Sequence, residues 1–148
     1  MAFRSILVPV DYSEPSRRAL ELALGLDETA QVTVVHAWDR PAYVGEEVVA
    51  QPDGSRRSLS ELIRENAERE MTEFLSRVTP PPGKTFTHQL ITGDPVTAII
   101  AEASKPDYDV IVIGTHGRTG MTKLLLGSVT EKLIRLSPIP VLTVPPAR

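Results

Sequence analysis

Three features of the 148-residue chain predict an α/β fold with a parallel sheet between layers of helices. Segments of strand character alternate with segments of helical period along its length. Two strands, Ile6-Leu-Val-Pro-Val10 and Val110-Ile-Val-Ile113, are continuous apolar runs, the pattern of strands buried on both faces. The second leads into Gly114-Thr-His-Gly117-Arg-Thr-Gly-Met-Thr-Lys-Leu-Leu-Leu-Gly127-Ser128, a glycine-rich connection to a further helix. Connections of this kind hold phosphate in parallel sheets. Glycine lets backbone N–H groups approach an anion, and the helix N-terminus adds unpaired donors and partial positive charge.

Each element has its own local reason. Pro9 falls at the end of the first strand, where its missing N–H does no harm. Ser13 before Glu14 and Pro15 starts the first helix. Ala19, Leu20, Ala23 and Leu24 give that helix an apolar face, and Gly25 is its expected stop. Val32-Thr-Val-Val35 with His36, Ala37 and Trp38 forms the second strand. Residues 39–57 contain two prolines, two glycines and no clear period, and read as a flexible surface loop. Ser58 and Glu61 have capping-box spacing. Leu59, Leu62, Ile63, Ala67, Phe74, Leu75 and Val78 then recur at helical intervals and predict the longest helix, closed by Pro80-Pro-Pro-Gly83. The third strand runs from Thr85 to Thr92. Asp94 and Pro95 supply the N-cap and first position of a helix whose stripe is Val96, Ile99, Ile100 and Ala103, stopped by Lys105-Pro106-Asp107. After the glycine segment come a fourth helix over 129–136 and a fifth strand, Ile139-Pro-Val-Leu-Thr-Val144. The order βαβαβαβαβ is expected to make one domain over residues 1–148, without internal repeat. In such sheets ligands bind beyond the C-terminal strand ends where the strand order reverses, a rim that would carry Asp11 and Gly114.

Composition narrows the function classes. The net charge of −3 and pI near 5.6 argue against a general nucleic-acid-binding surface. The absence of cysteine excludes disulfides and thiolate metal sites and suits a reducing compartment. The chain starts Met-Ala-Phe-Arg-Ser and lacks a signal-peptide core there. No apolar run approaches the roughly 20 residues that span a bilayer. The expectation is a cytoplasmic protein without membrane insertion.

The glycine segment fits neither common phosphate fingerprint. Its spacing is Gly-x-x-Gly-x-x-Gly after the fourth strand, which is neither a Walker A loop nor the Gly-x-Gly-x-x-Gly of a first strand. Two readings stand, phosphate binding and a structural loop whose glycines permit positive φ. Ser128, three residues before Glu131, reads as an N-cap, as a phosphate ligand, or as both. Asp11 reads as a turn or cap residue, or as a carboxylate accepting from a base or ribose hydroxyl. His36 reads as a core or rim histidine, and His116, inside the glycine segment, as a group in reach of ligand. Neither histidine has a partner at metal-ligand spacing, so no metal is assigned to side chains. Arg118 is placed to neutralise phosphate charge, whereas Lys123 reads as solvated surface. The fifth strand, with Val141, Leu142, Thr143 and Val144 between Pro140 and Pro145, reads as an apolar sheet edge. Pairing with a second copy would cover it, as would the chain's own loops.

Taken in order, these motifs resemble the universal stress protein family, in its single-domain, ATP-binding branch. Ile6-Leu-Val-Pro-Val-Asp11 with Ser13 is similar to the first strand of that family, and Val34-Val-His-Ala37 to its second. Gly93-Asp94-Pro95 resembles the turn before its third helix. Gly114-x2-Gly117-x9-Gly127-Ser128 matches its ATP signature, and Pro138-Ile-Pro-Val-Leu-Thr-Val144 its last strand. The resemblance covers the chain apart from residues 39–57. It implies a Rossmann-like three-layer sandwich of the adenine nucleotide alpha hydrolase-like type, with a five-stranded parallel sheet in the order 3-2-1-4-5.

The resemblance also implies a site. Pro9, Val10, Asp11 and Ala37 would surround adenine, with Ile113 beneath it and Asp11 reading the base edge, and Ser13 would belong to the same nucleotide site. Gly114 and Gly117 would line the ribose and phosphate path, with His116 in reach of ligand and Arg118 beside the phosphates. Gly127, Ser128 and Val129 would supply N–H groups and a hydroxyl to the phosphates, and Thr130 would belong to the same site. The ligand would be ATP, or AMP or ADP, with Mg or Mn held through the phosphates. The family implies a homodimer through the fifth strands, and a stress-response sensor or regulator whose nucleotide state changes its dealings with a protein partner. Two other readings stay open, a slow ATPase or nucleotide-processing enzyme using Asp11 or His116, and a nucleotide-independent dimeric scaffold.

Overall fold

The computed structural model describes residues 3–38, 47–115 and 127–147. Five parallel strands form the sheet: β1 (Ser5–Pro9), β2 (Gln31–Trp38), β5 (Thr87–Thr92), β6 (Val110–Gly114) and β7 (Val141–Val144), in the order β5-β2-β1-β6-β7. Counting only these strands, the order is the expected 3-2-1-4-5. Four helices connect them: α1 (Glu14–Leu26), α2 (Leu59–Ser76), α3 (Pro95–Ala103) and α4 (Ser128–Leu136). A separate antiparallel pair, β3 (Val48–Ala50) and β4 (Arg56–Ser58), lies between β2 and α2.

β1 is central because it is apolar on both faces. Ile6, Leu7 and Val8 have no exposed surface, and successive residues serve opposite sides. Ile6 and Val8 join Leu20, Val34, Met71 and Phe74 in the core beneath α1 and α2. Leu7 joins Val35, Ile99, Ile111, Ile113 and Leu133 beneath α3 and α4. The result is the three-layer sandwich predicted from alternation and resemblance. β1 pairs with β2 from Ser5↔Gln31 to Pro9↔Val35, and with β6 at Ile6↔Val110 and Leu7↔Ile111. Strand order therefore reverses between β1 and β6.

Local signals mostly hold. Ser13, Ser58 and Asp94 are N-caps whose side chains accept from the N–H three residues on. Pro95 opens α3, and Pro9 closes β1. Three local readings are corrected. Gly25 does not stop α1, which continues through Leu26 to an extended Asp27. The chain leaves the helix at Asp27, whose Oδ1 accepts from the Thr29 N–H at 2.9 Å, and in the turn that follows Lys84 Nζ donates to the carbonyls of Asp27 (3.0 Å), Glu28 (3.2 Å) and Ala30 (2.5 Å). Of the loop read over 39–57, residues 39–46 lie outside the described residues, and the remainder carries β3 and the start of β4, joined by a turn in which Gly54 has φ +89°. Arg57 of this hairpin is clamped to Glu65 and lies 3.7 Å from Glu61, both on α2. The third strand begins at Thr87, two residues later than Thr85.

Candidate functional site

A cavity of about 270 Å³ opens at the carboxyl ends of β1 and β6, where the strand order reverses. Small-molecule sites span ~300–1,000 Å³, so it lies near the small end of that range. Its apolar lining is Pro9, Val10, Ala37, Pro95, Ile99, Ile113 and Val129, and its polar side chains are Asp11, Ser13, Ser16, His36, Ser128 and Thr130. Gly114 and Gly127 complete it. Pro9, Val10, Asp11, Ser13, Ala37, Ile113, Gly114, Gly127, Ser128, Val129 and Thr130 of the expected site thus meet in one place. His116, Gly117 and Arg118 lie outside the described residues.

The turn after β1 organises the first wall. Asp11 Oδ1 accepts from the Ser13 N–H (3.0 Å), from the Ser13 hydroxyl, and from the Ser16 hydroxyl (2.9 Å). The Asp11 N–H donates back to Ser16 Oγ at 3.2 Å. The turn reading of Asp11 is therefore realised, and its carboxylate still lines the cavity. Tyr12, between Asp11 and Ser13, has φ +68°, a backbone region that favours glycine. Its ring is held by stacking on His36 (centroids 4.3 Å apart, planes 29°) and by tilted contact with Phe74 of α2 at 5.4 Å. His36 Nδ1 lies 2.8 Å from the Val10 carbonyl oxygen. A carbonyl only accepts, so Nδ1 is the protonated nitrogen and donates.

The second wall is β6 and α4. Gly114 is glycine for a packing reason: a Cβ there would stand 2.6 Å from the Pro15 carbonyl oxygen at the start of α1. Thr130 is 4% exposed, and its hydroxyl donates to the Gly114 carbonyl at 3.0 Å. That hydroxyl ties α4 to the end of β6 and fixes the width of the crevice.

The start of α4 corrects the sequence reading of Ser128. Gly127 is the N-cap, with φ −61° and ψ 147°, and Ser128 is the first helical residue. Gly127 has no side chain, and among the described residues no side-chain cap covers the first-turn N–H groups. Their donors and the positive end of the helix dipole stand at a cavity that Gly127, Ser128, Val129 and Thr130 line. α1 and α3, which also reach this rim, are capped by their own Ser13 and Asp94.

The far end of α3 is fixed by a different polar group. Glu102, 6% exposed, accepts from the Tyr108 hydroxyl at 2.7 Å and from Lys105 Nζ at 2.9 Å. Burial raises the Glu102 pKa, but these two donors outweigh it and hold the carboxyl below its ordinary value. Burial and the Glu102 carboxylate push the Tyr108 phenol up to about 12. Both ends of α3 are thereby anchored, and Pro95 and Ile99 are held against the cavity.

Sequence reasoning missed four lining residues: Ser16, His36, Pro95 and Ile99. The pattern around His36 places it only at the core or rim. Ser16 carried a usable signal, an Asp-x-Ser-x-x-Ser spacing that puts three polar groups on one strand-to-helix turn. Pro95 and Ile99 look like helix start and core stripe, and they are that as well.

Comparison with known proteins agrees with this architecture. Residues 2–145 match the model of the universal stress protein family. A universal stress protein of Methanocaldococcus jannaschii is 31% identical over 144 residues, covering 96% of this chain and 82% of its own. The structure of another protein of that organism, solved to assign its biochemical function, has a TM-score of 0.75 at 26% identity and covers 100% of this chain and 99% of its own. A universal stress protein solved in complex with cAMP shares the fold, with a TM-score of 0.60 at 23% identity over 97% of this chain and 98% of its own. With its match running nearly end to end, the chain belongs to the universal stress protein family.

Proposed function

We propose that this protein binds an adenine nucleotide, ATP foremost, in the cavity between β1 and β6. The observation that carries the reading is the α4 N-terminus, without a side-chain cap among the described residues and placed in the same cavity as the Asp11 carboxylate. A phosphate accepts N–H groups and is attracted by the helix dipole. A nucleoside has an apolar ring for Val10, Ala37, Pro95 and Ile113, and donor groups for a carboxylate. Gly127, Ser128 and Val129 meet the phosphates in this reading, and Pro9, Val10, Asp11, Ser13 and Ala37 meet the nucleoside. Gly114 and Thr130 set the wall. His116, Gly117 and Arg118 complete the phosphate path, as the sequence signature implies. Mg or Mn is carried in by the phosphates.

The protein acts as a dimeric regulator in this reading, with nucleotide occupancy altering its surface for a protein partner. β7 pairs only with β6 among the described residues, and Leu142 on it is 38% exposed. Antiparallel pairing of two β7 strands would cover both edges.

Isothermal titration of the full chain with ATP, ADP, AMP and cAMP, with and without Mg, tests the ligand. Saturable binding of one of them supports the reading, and no binding of any overturns it. Sedimentation equilibrium of the wild type and Leu142→Asp tests the dimer. A dimer that the substitution dissociates supports it, and a monomeric wild type overturns it.

A further inference from the structure

Ser16 is bonded more elaborately than helix capping or core packing demands. It sits on the first turn of α1, 4% exposed, in the cavity wall. Capping of α1 is already done by Ser13, whose Oγ accepts from the Ser16 N–H at 3.3 Å. Core packing would be met by alanine, which brings no polar group to satisfy. Ser16 instead directs its hydroxyl at both ends of one residue. Its Oγ donates to Asp11 Oδ1 at 2.9 Å, the shorter of its two acceptor contacts (the Ser13 carbonyl lies at 3.2 Å), and accepts from the Asp11 N–H at 3.2 Å. A hydroxyl has one proton and two lone pairs, and two of these three are committed to Asp11.

We infer that Ser16 is a positioning residue that locks the Asp11 carboxylate at the cavity wall to accept a hydrogen bond from a nucleoside donor, a base amine or a sugar hydroxyl. The inference rests on the nucleotide reading above. An ionised carboxylate only accepts, so it selects ligands that present N–H or O–H and penalises a carbonyl or an absent group. Selection is sharpest when the carboxylate cannot turn aside, and a side chain ordered beforehand loses no rotamer freedom as ligand arrives. Ser13 holds the carboxylate from the turn, and Ser16 holds it from the helix.

The test is calorimetric titration of the full chain with ATP, inosine triphosphate, 2′-deoxy-ATP and 3′-deoxy-ATP in the presence of Mg. The proteins are the wild type, Ser16→Ala, Asp11→Asn and the double variant. The wild type is expected to prefer ATP by about tenfold or more over the analogue that lacks the donor Asp11 reads, a loss typical of a charged hydrogen bond. Ser16→Ala is expected to cut that preference to about threefold or less, and to change nothing further in the Asp11→Asn background. Uniform weakening of all four ligands with the preference intact would make Ser16 merely structural and overturn the inference. Equal wild-type affinity for all four also overturns it, while leaving nucleotide binding in place. Failure of the wild type to bind any of them overturns the nucleotide reading itself. Should Ser16→Ala not fold, Ser16→Cys occupies similar space with a weak donor. A reduced preference in that variant supports the inference, and an intact one overturns it.

Discussion

Gly114 and Pro15 approach so closely that a Cβ on Gly114 would lie 2.6 Å from the Pro15 carbonyl oxygen and 2.7 Å from its carbonyl carbon. The obstruction is backbone at the start of α1, which cannot swing away as a side-chain tip can. Gly114→Ala is therefore expected to destabilise the fold by about 3 kcal/mol, near the upper end for overpacking. Urea denaturation measures it, and wild-type stability would show that α1 shifts freely.

Gly127 is the contrasting glycine. Its φ of −61° and ψ of 147° suit any residue. Gly127→Ser is expected to stabilise α4 by a few tenths of a kcal/mol, the usual advantage of a serine cap over glycine. The new hydroxyl competes for the first-turn N–H groups, so nucleotide affinity should fall as melting temperature rises. Thermal denaturation and titration on the same sample check both signs, and a rise in affinity would count against phosphate at this helix end.

Tyr12 inverts the usual ranking of alanine and glycine. Its φ of +68° is strained for any residue with a Cβ, and the stack on His36 and Phe74 offsets that strain. Tyr12→Ala loses the stack and keeps the strain, whereas Tyr12→Gly loses the stack and relieves the strain. Glycine should be the more stable variant by about 1 kcal/mol. Chemical denaturation of the pair gives the order, and alanine above glycine would sink the argument.

Glu102 and Tyr108 set opposite pH limits. The Glu102 carboxyl is held below its ordinary 4.5, so its contribution is present above that value and is lost as pH falls through the lower folded value. The Tyr108 phenol is pushed from 10.0 up to about 12, so its contribution is complete below 10 and is lost as pH rises toward 12. Tyr108→Phe should flatten the alkaline decline, and Glu102→Gln should flatten part of the acid one. Melting temperatures across pH 2 to 12 report both, and unchanged pH profiles would mean the pair contributes nothing to stability.

Lys84 gathers three carbonyl acceptors of the turn between α1 and β2 in one place. Lys84→Met keeps the aliphatic stem and removes the ammonium, and should cost about 1–3 kcal/mol from carbonyls left without their donor. Arginine, with a planar fork in place of a compact ammonium, should not restore it fully. Equilibrium unfolding of the two variants settles the point, and full stability with methionine would mean water replaces the ammonium without loss.

Strands and helices were legible because β1 and β6 are continuous apolar runs and three helices begin at side-chain caps, whereas the sheet order came from the family resemblance. The β3–β4 hairpin was not legible. Its strands are three residues each, too short for a period, and it is held by Arg57 reaching Glu65 eight positions away. Gly25 misled because α1 runs on through Leu26 and ends at Asp27, whose side chain turns onto the Thr29 N–H. At the site, both sides of the crevice were visible as Asp11 and Gly114-to-Ser128. The reason for Gly114 was hidden, because it lies in the Pro15 carbonyl and not in a ligand. Ser16 escaped because its role depends on which way Asp11 turns, which only the assembled turn shows.

Placing β1 between β2 and β6 also fixes when the crevice can exist. The Asp109 carboxylate caps the Arg4 and Ser5 N–H groups across 105 and 104 residues of chain, and the second wall arrives later still, with α4. A chain emerging from the ribosome can pair β1 with β2 early, but β1 keeps one edge bare until β6 is made. The nascent sheet thus stays half-built until β6 is made, and recognition at the crevice begins only once α4 has followed it.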